Sequence, residues 1–378
     1  MNKVIVIPDS FKGTLSSETI CEVIEKKVVE YYPDCEVVKI PVADGGEGSV
    51  DCFLSALGGQ KKVVKATDPF FEEMDSFYGL IDNGRTAVIE MASCAGLPLV
   101  KDHKDPSKTT TYGVGELVNE AIYSGVEKII LGLGGSATND GGCGAAAAVG
   151  VKFYDKEGSA FVPVGGTLKE IAHIDISERD RRLEEVEIVT MCDIDNPMYG
   201  ETGAAYIFGP QKGADAQMVL SLDAGLKHLS AIIKRDLGLD LSRVPGAGAA
   251  GAMGAGMIAF FSSNLQMGIE TVLDTVGFEE KLAGCDMVFT GEGKLDTQSL
   301  RGKVVVGVAR RTRPHNIPVT VIVGGADKEI DEVYDLGVSS VFTINRMPQE
   351  LSVSAPDSKD NLAFAVDNLM RYTKLIQR

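Results

Sequence analysis

Several stretches of the chain combine glycine with charged or hydroxyl side chains, a composition suited to phosphate chemistry. The densest is GLGGSATNDGG (132–142), which directly follows the apolar run KIIL (128–131). Phosphoryl transfer needs backbone N–H groups around phosphate oxygens, cations, carboxylates that hold Mg²⁺, and a base aimed at the acceptor hydroxyl. The cations in glycine-containing loops are Lys12, Lys212, Lys294 and Lys303, and the carboxylates are Asp44, Glu47, Asp193, Asp195, Glu292 and Asp296. Because the pattern recurs in several loops, it favours loops that bind one shared ligand over loops that carry glycine and charge only to form separate turns.

A dinucleotide-binding site is the alternative that the same loop allows. Gly132, Gly134 and Ala137 match the GxGxxA pattern, and Asp155 follows at roughly the distance of a ribose-binding acid. The glycine-rich segment that comes next is a poor crossover helix, and Asp140 places a carboxylate where a pyrophosphate would lie. An NAD-dependent hydroxy-acid oxidoreductase therefore remains a weaker alternative. Among the acidic glycine loops, Asp140 is instead typical of a phosphoryl-transfer site.

Composition excludes several classes of partner. The 378 residues carry a formal net charge of −17, which argues against nucleic acid and anionic membranes as partners. The seven cysteines are scattered and never spaced CxxC, so we expect neither a disulfide framework nor a zinc site. The uncharged stretch 244–269 is dominated by glycine and alanine, so we do not expect it to span a membrane. We expect a cytoplasmic protein.

Short apolar runs alternate with helical patterns, which predicts an α/β fold with largely parallel sheets. The strands expected from the two chain ends are 3–7, 36–40, 286–289, 319–323 and 340–344. If they form one parallel sheet, the loops after them meet at its carboxyl edge, where such sheets bind ligands. We therefore predict a discontinuous domain of residues 1–66 plus 284–378. Residues 67–283 are predicted to form a large inserted α/β domain, with the active site in the cleft between the two.

The motifs together resemble glycerate kinases of the type-1 family. The matching stretches, in the family's order, are DSFKGTLSS (9–17), PVADGGEG (41–48), TTTYGVGEL (109–117), GLGGSATNDGGCG (132–144), CDIDNP (192–197), FGPQKGA (208–214), PGAGAAGAMG (245–254) and TGEGKLDTQSLRGK (290–303). Departures are small: Ser49, Ala252 and the loop GGADKE (324–329).

The resemblance implies transfer of the γ-phosphoryl group of ATP, with Mg²⁺, to D-glycerate, generally giving 2-phosphoglycerate. Phosphorylation of the 3-hydroxyl, giving 3-phosphoglycerate, remains an alternative. The resemblance also implies two α/β domains, of which the one built from both chain ends is Rossmann- or flavodoxin-like. We expect a monomer or a homodimer.

Site residues follow from matching these motifs and from the chemistry of each side chain. The expected nucleotide-binding residues are Gly134, Gly135, Ser136, Thr138, Asn139, Glu292 and Lys294. The expected substrate-binding residues are Asp9, Ser10, Lys12, Asp44, Asp195, Asn196 and Arg346. Asp193 is the hypothesised base, with Lys12 and Asp296 as further catalytic residues, and Asp195, Glu292 and Asp296 are the hypothesised Mg²⁺ ligands.

Overall fold

The computed structural model describes residues 1–43, 45–297 and 299–376. Its strands are β1 (Lys3–Pro8), β2 (Glu36–Lys39), β3 (Gln60–Thr67), β4 (Glu73–Ile81), β5 (Thr86–Glu90), β6 (Lys128–Gly132), β7 (Lys152–Tyr154), β8 (Ala160–Phe161), β9 (His173–Asp175), β10 (Glu187–Met191), β11 (Asn264–Gln266), β12 (Met287–Gly291), β13 (Lys294–Leu295), β14 (Val319–Val323), β15 (Gly325–Ala326) and β16 (Ser340–Thr343).

The α-helices are α1 (Ser17–Tyr31), α2 (Ser49–Leu57), α3 (Ala92–Ala95), α4 (Tyr112–Tyr123), α5 (Cys143–Ala148), α6 (Ala204–Phe208), α7 (Ala216–Leu237), α8 (Ala249–Phe261), α9 (Gly268–Thr275), α10 (Phe278–Lys281), α11 (Val304–Thr312), α12 (Glu332–Asp335), α13 (Leu351–Ser354) and α14 (Ser358–Ile376). Short 3₁₀ turns span Asp82–Gly84, Leu97–Val100, Leu168–Glu170, Arg181–Glu184, Pro210–Lys212, Ser299–Arg301, Arg313–His315 and Ala355–Asp357.

The chain divides into two compact units, and the first contains both chain ends. It comprises residues 1–43, 55–57 and 267–378. Its main sheet has the order β16-β14-β12-β1-β2, and all of its strands are parallel. Counted along the chain, this order is 2-1-3-4-5, the flavodoxin-like arrangement. The sequence predicted all five strands, and the parallel α/β fold class is confirmed.

Apolar side chains on the strands and helices explain why this sheet forms. Val4, Val6 and Phe289 are fully buried, and they share one core with Leu362 and Val366 of α14. Ser16 caps α1 by accepting a hydrogen bond from the amide of Thr19.

The second unit comprises residues 44–54 and 58–266. Its main sheet has the order β11-β10-β6-β5-β4-β3, in which β5, β6, β10 and β11 are parallel and β3 and β4 are antiparallel additions. β6 contains the apolar run KIIL (128–131) that precedes the glycine loop. A separate antiparallel sheet contains β8, β7 and β9.

The unit boundaries differ from the predicted positions 66/67 and 283/284. Residues 60–67 form β3, whose pairing with β4 places it in the second unit. The first unit resumes at Met267 and includes α9 and α10. The antiparallel pairing of β3, whose sequence QKKVVKAT has no continuous apolar run, accounts for the first difference.

The dinucleotide interpretation is wrong in its structural premises. The strand after the glycine loop, β7, belongs to the small antiparallel sheet rather than to the sheet that contains β6. Asp155 lies in the β7–β8 turn, where its carboxylate accepts hydrogen bonds from the amides of Glu157 and Ser159. It is a turn residue, not a ribose-binding acid at the end of a second parallel strand.

Within the described ranges, no helix is long and apolar enough to cross a lipid bilayer.

Candidate active site

Three neighbouring parallel strands of the second unit end side by side. Glu90, Gly132 and Met191 are register partners at the carboxyl ends of β5, β6 and β10. The loops that follow β6 and β10 are the glycine loop and the CDIDNP motif. Sheet pairing therefore brings two of the predicted loops to one edge of this sheet, the edge at which α/β sheets bind ligands.

Loop 45–48 packs directly on the glycine loop. Gly134 donates its amide hydrogen to the carbonyl oxygen of Gly45 at 2.9 Å. A Cβ atom at Gly132 or Gly134 would collide with the backbone of Gly45 or Gly46. Glycine is therefore required here for close backbone approach rather than for an unusual dihedral angle.

Asp140 has a different role from the expected one. Its carboxylate is fully buried and accepts hydrogen bonds from the amides of Thr111, Gly142 and Gly144 and from the Thr111 hydroxyl, at 2.8 to 3.2 Å. Burial raises the pKa of this carboxyl, and the hydrogen bonds from Thr111, Gly142 and Gly144 oppose the rise. Asp140 is thus a structural anchor that joins the glycine loop to α4 and α5.

A buried lysine lies against the centre of the glycine loop. The Lys212 ammonium group donates hydrogen bonds to the Thr138 carbonyl oxygen at 2.6 Å and to Ser136 Oγ at 3.4 Å. Ser136 Oγ and Thr138 Oγ1 lie 3.0 Å apart and are both buried. Burial lowers the pKa of Lys212 to about 7, although the charge of Asp140 acts in the opposite direction. The loop thus presents hydroxyl groups with a titratable cation beside them.

Asn139 stands out among the expected nucleotide-binding residues. It is fully buried, and in the described part of the chain neither its amide nitrogen nor its amide oxygen has a hydrogen-bond partner. A buried amide without partners costs free energy, which a ligand or a water molecule can offset.

The start of α8 adds backbone strain next to this loop. Ala250, Gly251 and Ala252 have consecutive positive φ angles of 54°, 70° and 67°. The Gly251 carbonyl oxygen accepts a hydrogen bond from the Gly141 amide at 3.1 Å, which ties α8 to the glycine loop. Strained non-glycine residues of this kind concentrate at functional sites.

The CDIDNP motif follows β10 as an irregular loop. Asp193 is half-buried and Asp195 is exposed. The Asn196 side chain donates to the Thr202 carbonyl oxygen at 2.8 Å, and the Asn196 backbone carbonyl oxygen accepts a hydrogen bond from the Gly248 amide at 3.0 Å. Asn196 is therefore held by the loop itself, whereas the two aspartates lie at least partly open to solvent.

In the first unit, predicted residues cluster where the strand order reverses. Asp9 and Glu292 follow β1 and β12, the adjacent strands between which a flavodoxin-like sheet has its topological switch point. The Asp9 amide donates to the Gly291 carbonyl oxygen at 2.8 Å, and the Ser10 amide donates to the Asp9 carboxylate at 2.7 Å.

Glu292 is the most perturbed carboxyl of this cluster. Its side chain is buried, and burial raises its pKa to about 7. A hydrogen bond with Ser299 and the charge of Lys303 oppose that rise, whereas the charges of Asp9 and Asp296 add to it. Within the described residues, Glu292 Oε1 has no hydrogen-bond partner. A buried, strongly shifted carboxyl between other charged groups is typical of a functional site.

The other residues predicted in this unit are more exposed. Lys12 is exposed, and Lys294 forms an ion pair with Asp327 at 2.9 Å. The Arg346 guanidinium lies 4.0 Å from the centre of the Phe364 ring, so it packs on the surface of α14. Asp296 and Ser299 exchange hydrogen bonds within their turn. Asp44 lies outside the described residues.

The donor chemistry at Glu292 suits a hard cation. Among the residues that the structure describes, no group of three or more histidine, cysteine, aspartate or glutamate side chains is arranged to hold a metal ion. Mg²⁺ is commonly held by only one or two carboxylates together with phosphate oxygens. The unpartnered oxygen of Glu292 beside Asp296 fits that mode of binding.

Sequence reasoning missed Glu90 and did not single out Lys212. Glu90 ends the apolar strand β5, is buried, and accepts a hydrogen bond from the Val50 amide at 3.2 Å. The signal available in the sequence was one carboxylate at the end of an otherwise apolar strand. In the sequence, Lys212 is one of four candidate cations. Nothing near it in the sequence shows that it is buried, because its burial depends on residues distant along the chain.

Parallel α/β sheets whose strands end in glycine loops and carboxylates, here with a buried lysine against the glycine loop, are typical of enzymes that handle phosphate groups. The sequence model of the Glycerate kinase family matches residues 4–374. A glycerate kinase of Bacillus cereus is 43% identical over 374 residues, covering 99% of this chain and 98% of the relative. The glycerate 2-kinase of Escherichia coli is 42% identical and covers 97% of both chains.

A crystal structure from Salmonella typhimurium, described as a candidate glycerate kinase 2, has a TM-score of 0.88 at 40% identity. The match covers 100% of this chain and 99% of that one. The chain belongs to the glycerate kinase family and is a kinase.

Proposed function

We propose that this kinase transfers the γ-phosphoryl group of ATP to the 2-hydroxyl of D-glycerate, with Mg²⁺, and releases 2-phosphoglycerate. The observation that carries the choice of hydroxyl is the similarity to the Escherichia coli relative, which is named glycerate 2-kinase and is 42% identical over nearly the whole chain. Other relatives carry the name glycerate kinase without a position.

The glycine loop is the proposed phosphate-binding element. Ser136 and Thr138 supply buried hydroxyl donors, and Gly134 and Gly135 permit close backbone approach. Asn139 offers an amide whose atoms lack partners within the described residues. Glu292 and Lys294 complete the proposed set of nucleotide-binding residues.

Asp193 is the proposed base. Its carboxylate accepts the proton of the substrate hydroxyl as the new O–P bond forms and the bond to the leaving ADP oxygen breaks. Asp9, Ser10, Lys12, Asp44, Asp195, Asn196 and Arg346 are the proposed substrate-binding residues, with Lys12 and Asp296 assisting the transfer.

Glu292 and Asp296, with Asp195, are the residues proposed to hold Mg²⁺, which neutralises charge on the phosphate oxygens when it is bound. The unpartnered oxygen of Glu292 supports this assignment.

A product-specific assay tests the proposal. Purified protein, ATP, Mg²⁺ and D-glycerate should release ADP, and added enolase should convert the product directly to phosphoenolpyruvate. A product that enolase accepts only after phosphoglycerate mutase is added would instead show transfer to the 3-hydroxyl. Failure to release ADP with D-glycerate would overturn the proposal as a whole.

A further inference from the structure

Lys212 is a buried cation without an ionic partner. Its side chain is only 2% exposed, and it lies at the end of the 3₁₀ turn Pro210–Lys212. Within the described residues, no carboxylate lies at ion-pair distance from its ammonium group. Its hydrogen-bond acceptors are the Thr138 carbonyl oxygen and Ser136 Oγ. Burying a charge without a counter-ion is costly, so its retention calls for a physical reason.

Asp140 acts on the charge of Lys212 but does not form an ion pair with it. Asp140 is the charged group that acts on the ammonium electrostatically. The Asp140 carboxylate, however, is engaged by Thr111, Gly142 and Gly144. Lys104, an exposed lysine beside this turn, donates to the Gln211 carbonyl oxygen at 3.1 Å and carries the same positive charge. Neither group forms an ion pair with the Lys212 ammonium group, whose acceptors within the described residues are the Thr138 carbonyl oxygen and Ser136 Oγ.

The segment that Lys212 contacts has further unused capacity for hydrogen bonding. An ammonium group carries three donors, and among the described residues that of Lys212 has two acceptors. The next residue along the loop is Asn139, whose amide has no partner in the described part of the chain. A phosphate group at this loop would provide both the oxygen acceptors and the negative charge that the buried ammonium lacks.

We propose that Lys212 is the cation that serves the phosphate group bound at the glycine loop, and that binding of this phosphate draws a proton from solvent onto the Lys212 amine. This inference rests on the proposed function, because it requires nucleotide phosphates at residues 134–139. Before binding, burial holds the pKa of Lys212 at about 7, so the amine is largely neutral in mildly alkaline solution. A bound anion reverses that preference by replacing the missing counter-charge.

Proton uptake on nucleotide binding is the decisive measurement. Titration calorimetry with ATP, in mildly alkaline buffers of different ionisation enthalpy, gives the number of protons taken up per nucleotide. The wild type should take up close to one proton more than Lys212→Met, since the difference between the two cancels titration of every other group. Lys212→Met should also bind ATP roughly tenfold to a hundredfold more weakly, the scale of a charge-assisted hydrogen bond. The matched control is Lys169→Met, which removes an exposed lysine that donates to Ser221 Oγ in the same unit.

Equal proton uptake by the wild type and Lys212→Met would overturn the inference, as would unchanged ATP affinity in the variant. The wild-type measurement remains informative even if the variant folds poorly, because the absence of proton uptake by the wild type also contradicts it. Failure of the proposed function is distinguishable, since it would appear as a lack of ADP release with D-glycerate.

Discussion

The Asp140 carboxylate accepts hydrogen bonds from both the amide and the hydroxyl of Thr111, each at 2.8 Å. The Thr111 hydroxyl oxygen in turn accepts a hydrogen bond from the Ala145 amide at 3.0 Å. Asp140 and Thr111 therefore tie together the glycine loop, the beginning of α4 and the first turn of α5. A fully buried carboxylate with four donors around it specifies the conformation of the loop.

Replacing Asp140 by asparagine should destabilise the protein by about 3 kcal/mol, because the asparagine NH₂ group would face N–H and O–H donors in a buried site. Thr111→Val removes only the hydroxyl and should cost about 1 to 2 kcal/mol. Urea unfolding followed by circular dichroism measures both changes. Equal stability of Asp140→Asn and the wild type would contradict the anchoring role.

Much of the sheet architecture could be predicted, because buried strands have a strong local signature. VTVIV (319–323) and KIIL (128–131) are continuous apolar runs, and both lie in parallel strands. The antiparallel strand β3, QKKVVKAT, has no such run, and its pairing depends on β4. The predicted boundary at 66/67 differs from the observed units for this reason.

Individual site residues were harder to predict, since their roles depend on contacts distant in sequence. Asp140 and Asp193 both lie in polar loops after apolar strands. Backbone amides engage Asp140 completely, whereas Asp193 remains half-buried. Burial of Lys212 likewise depends on Ser136 and Thr138, which a local motif does not reveal. Sequence spacing identified the loops but not which side chains the fold itself uses.

Gly134→Ala tests the close packing between the glycine loop and loop 45–48. The added methyl group would collide with the Gly46 backbone, and the Gly134 amide would lose its hydrogen bond to Gly45. We expect kcat/KM to fall by roughly 100-fold, the scale of a 1 Å displacement of catalytic groups. Steady-state kinetics on folded protein measures the loss.

Gly158→Ala is the control for Gly134→Ala. Gly158 has a φ of 80° in the β7–β8 turn, and an added Cβ there would meet open space. This variant should lose about 1 to 2 kcal/mol of stability through backbone strain and keep its activity. A similar loss of activity in both variants would mean that general destabilisation, not loop displacement, explains the effect.

Asp193→Asn should reduce turnover severely and largely spare ATP binding, because the amide cannot accept the substrate proton. The expected loss in kcat is roughly 100-fold to 10,000-fold, the range for a general base. The control is Glu201→Gln, an exposed carboxylate in the segment that follows the same motif. Wild-type turnover by Asp193→Asn would show that Asp193 is not the base.

Glu90 should support loop 45–48 through the beginning of α2. Its carboxylate accepts hydrogen bonds from the amides of Val50 and Gly48, so Glu90→Ala leaves buried donors without an acceptor. We expect a loss of about 1 to 3 kcal/mol in the free energy of unfolding, and a lower kcat/KM as the loop shifts. Glu90→Gln retains one acceptor oxygen and should recover most of the activity. The exposed Glu120→Gln should change neither quantity.

The pH dependence of the Glu90 variant has a definite sign. Burial raises the pKa of Glu90 above its ordinary value of 4.5, so the unfolded chain loses this proton first. The wild type therefore loses stability as the pH rises from about 4.5 through the raised pKa. Glu90→Gln lacks this loss, so its stability relative to the wild type should be more favourable at neutral pH than near pH 4.5. The opposite trend in urea unfolding would contradict the assignment.

Lys212 should make the stability of the nucleotide-free protein depend on pH in the alkaline range. Its pKa is about 7 in the folded protein and 10.5 is its ordinary value, so between these limits the unfolded chain binds the additional proton. The free energy of unfolding should therefore increase as the pH rises from about 7 towards 10.5. This gain in stability is lost as the pH falls back to about 7. Lys212→Met, which has no titratable group, should lack this rise, whereas Lys169→Met should keep it. Urea unfolding at neutral and alkaline pH measures the difference, and identical slopes for the wild type and Lys212→Met would show that the Lys212 ammonium is not destabilised by burial.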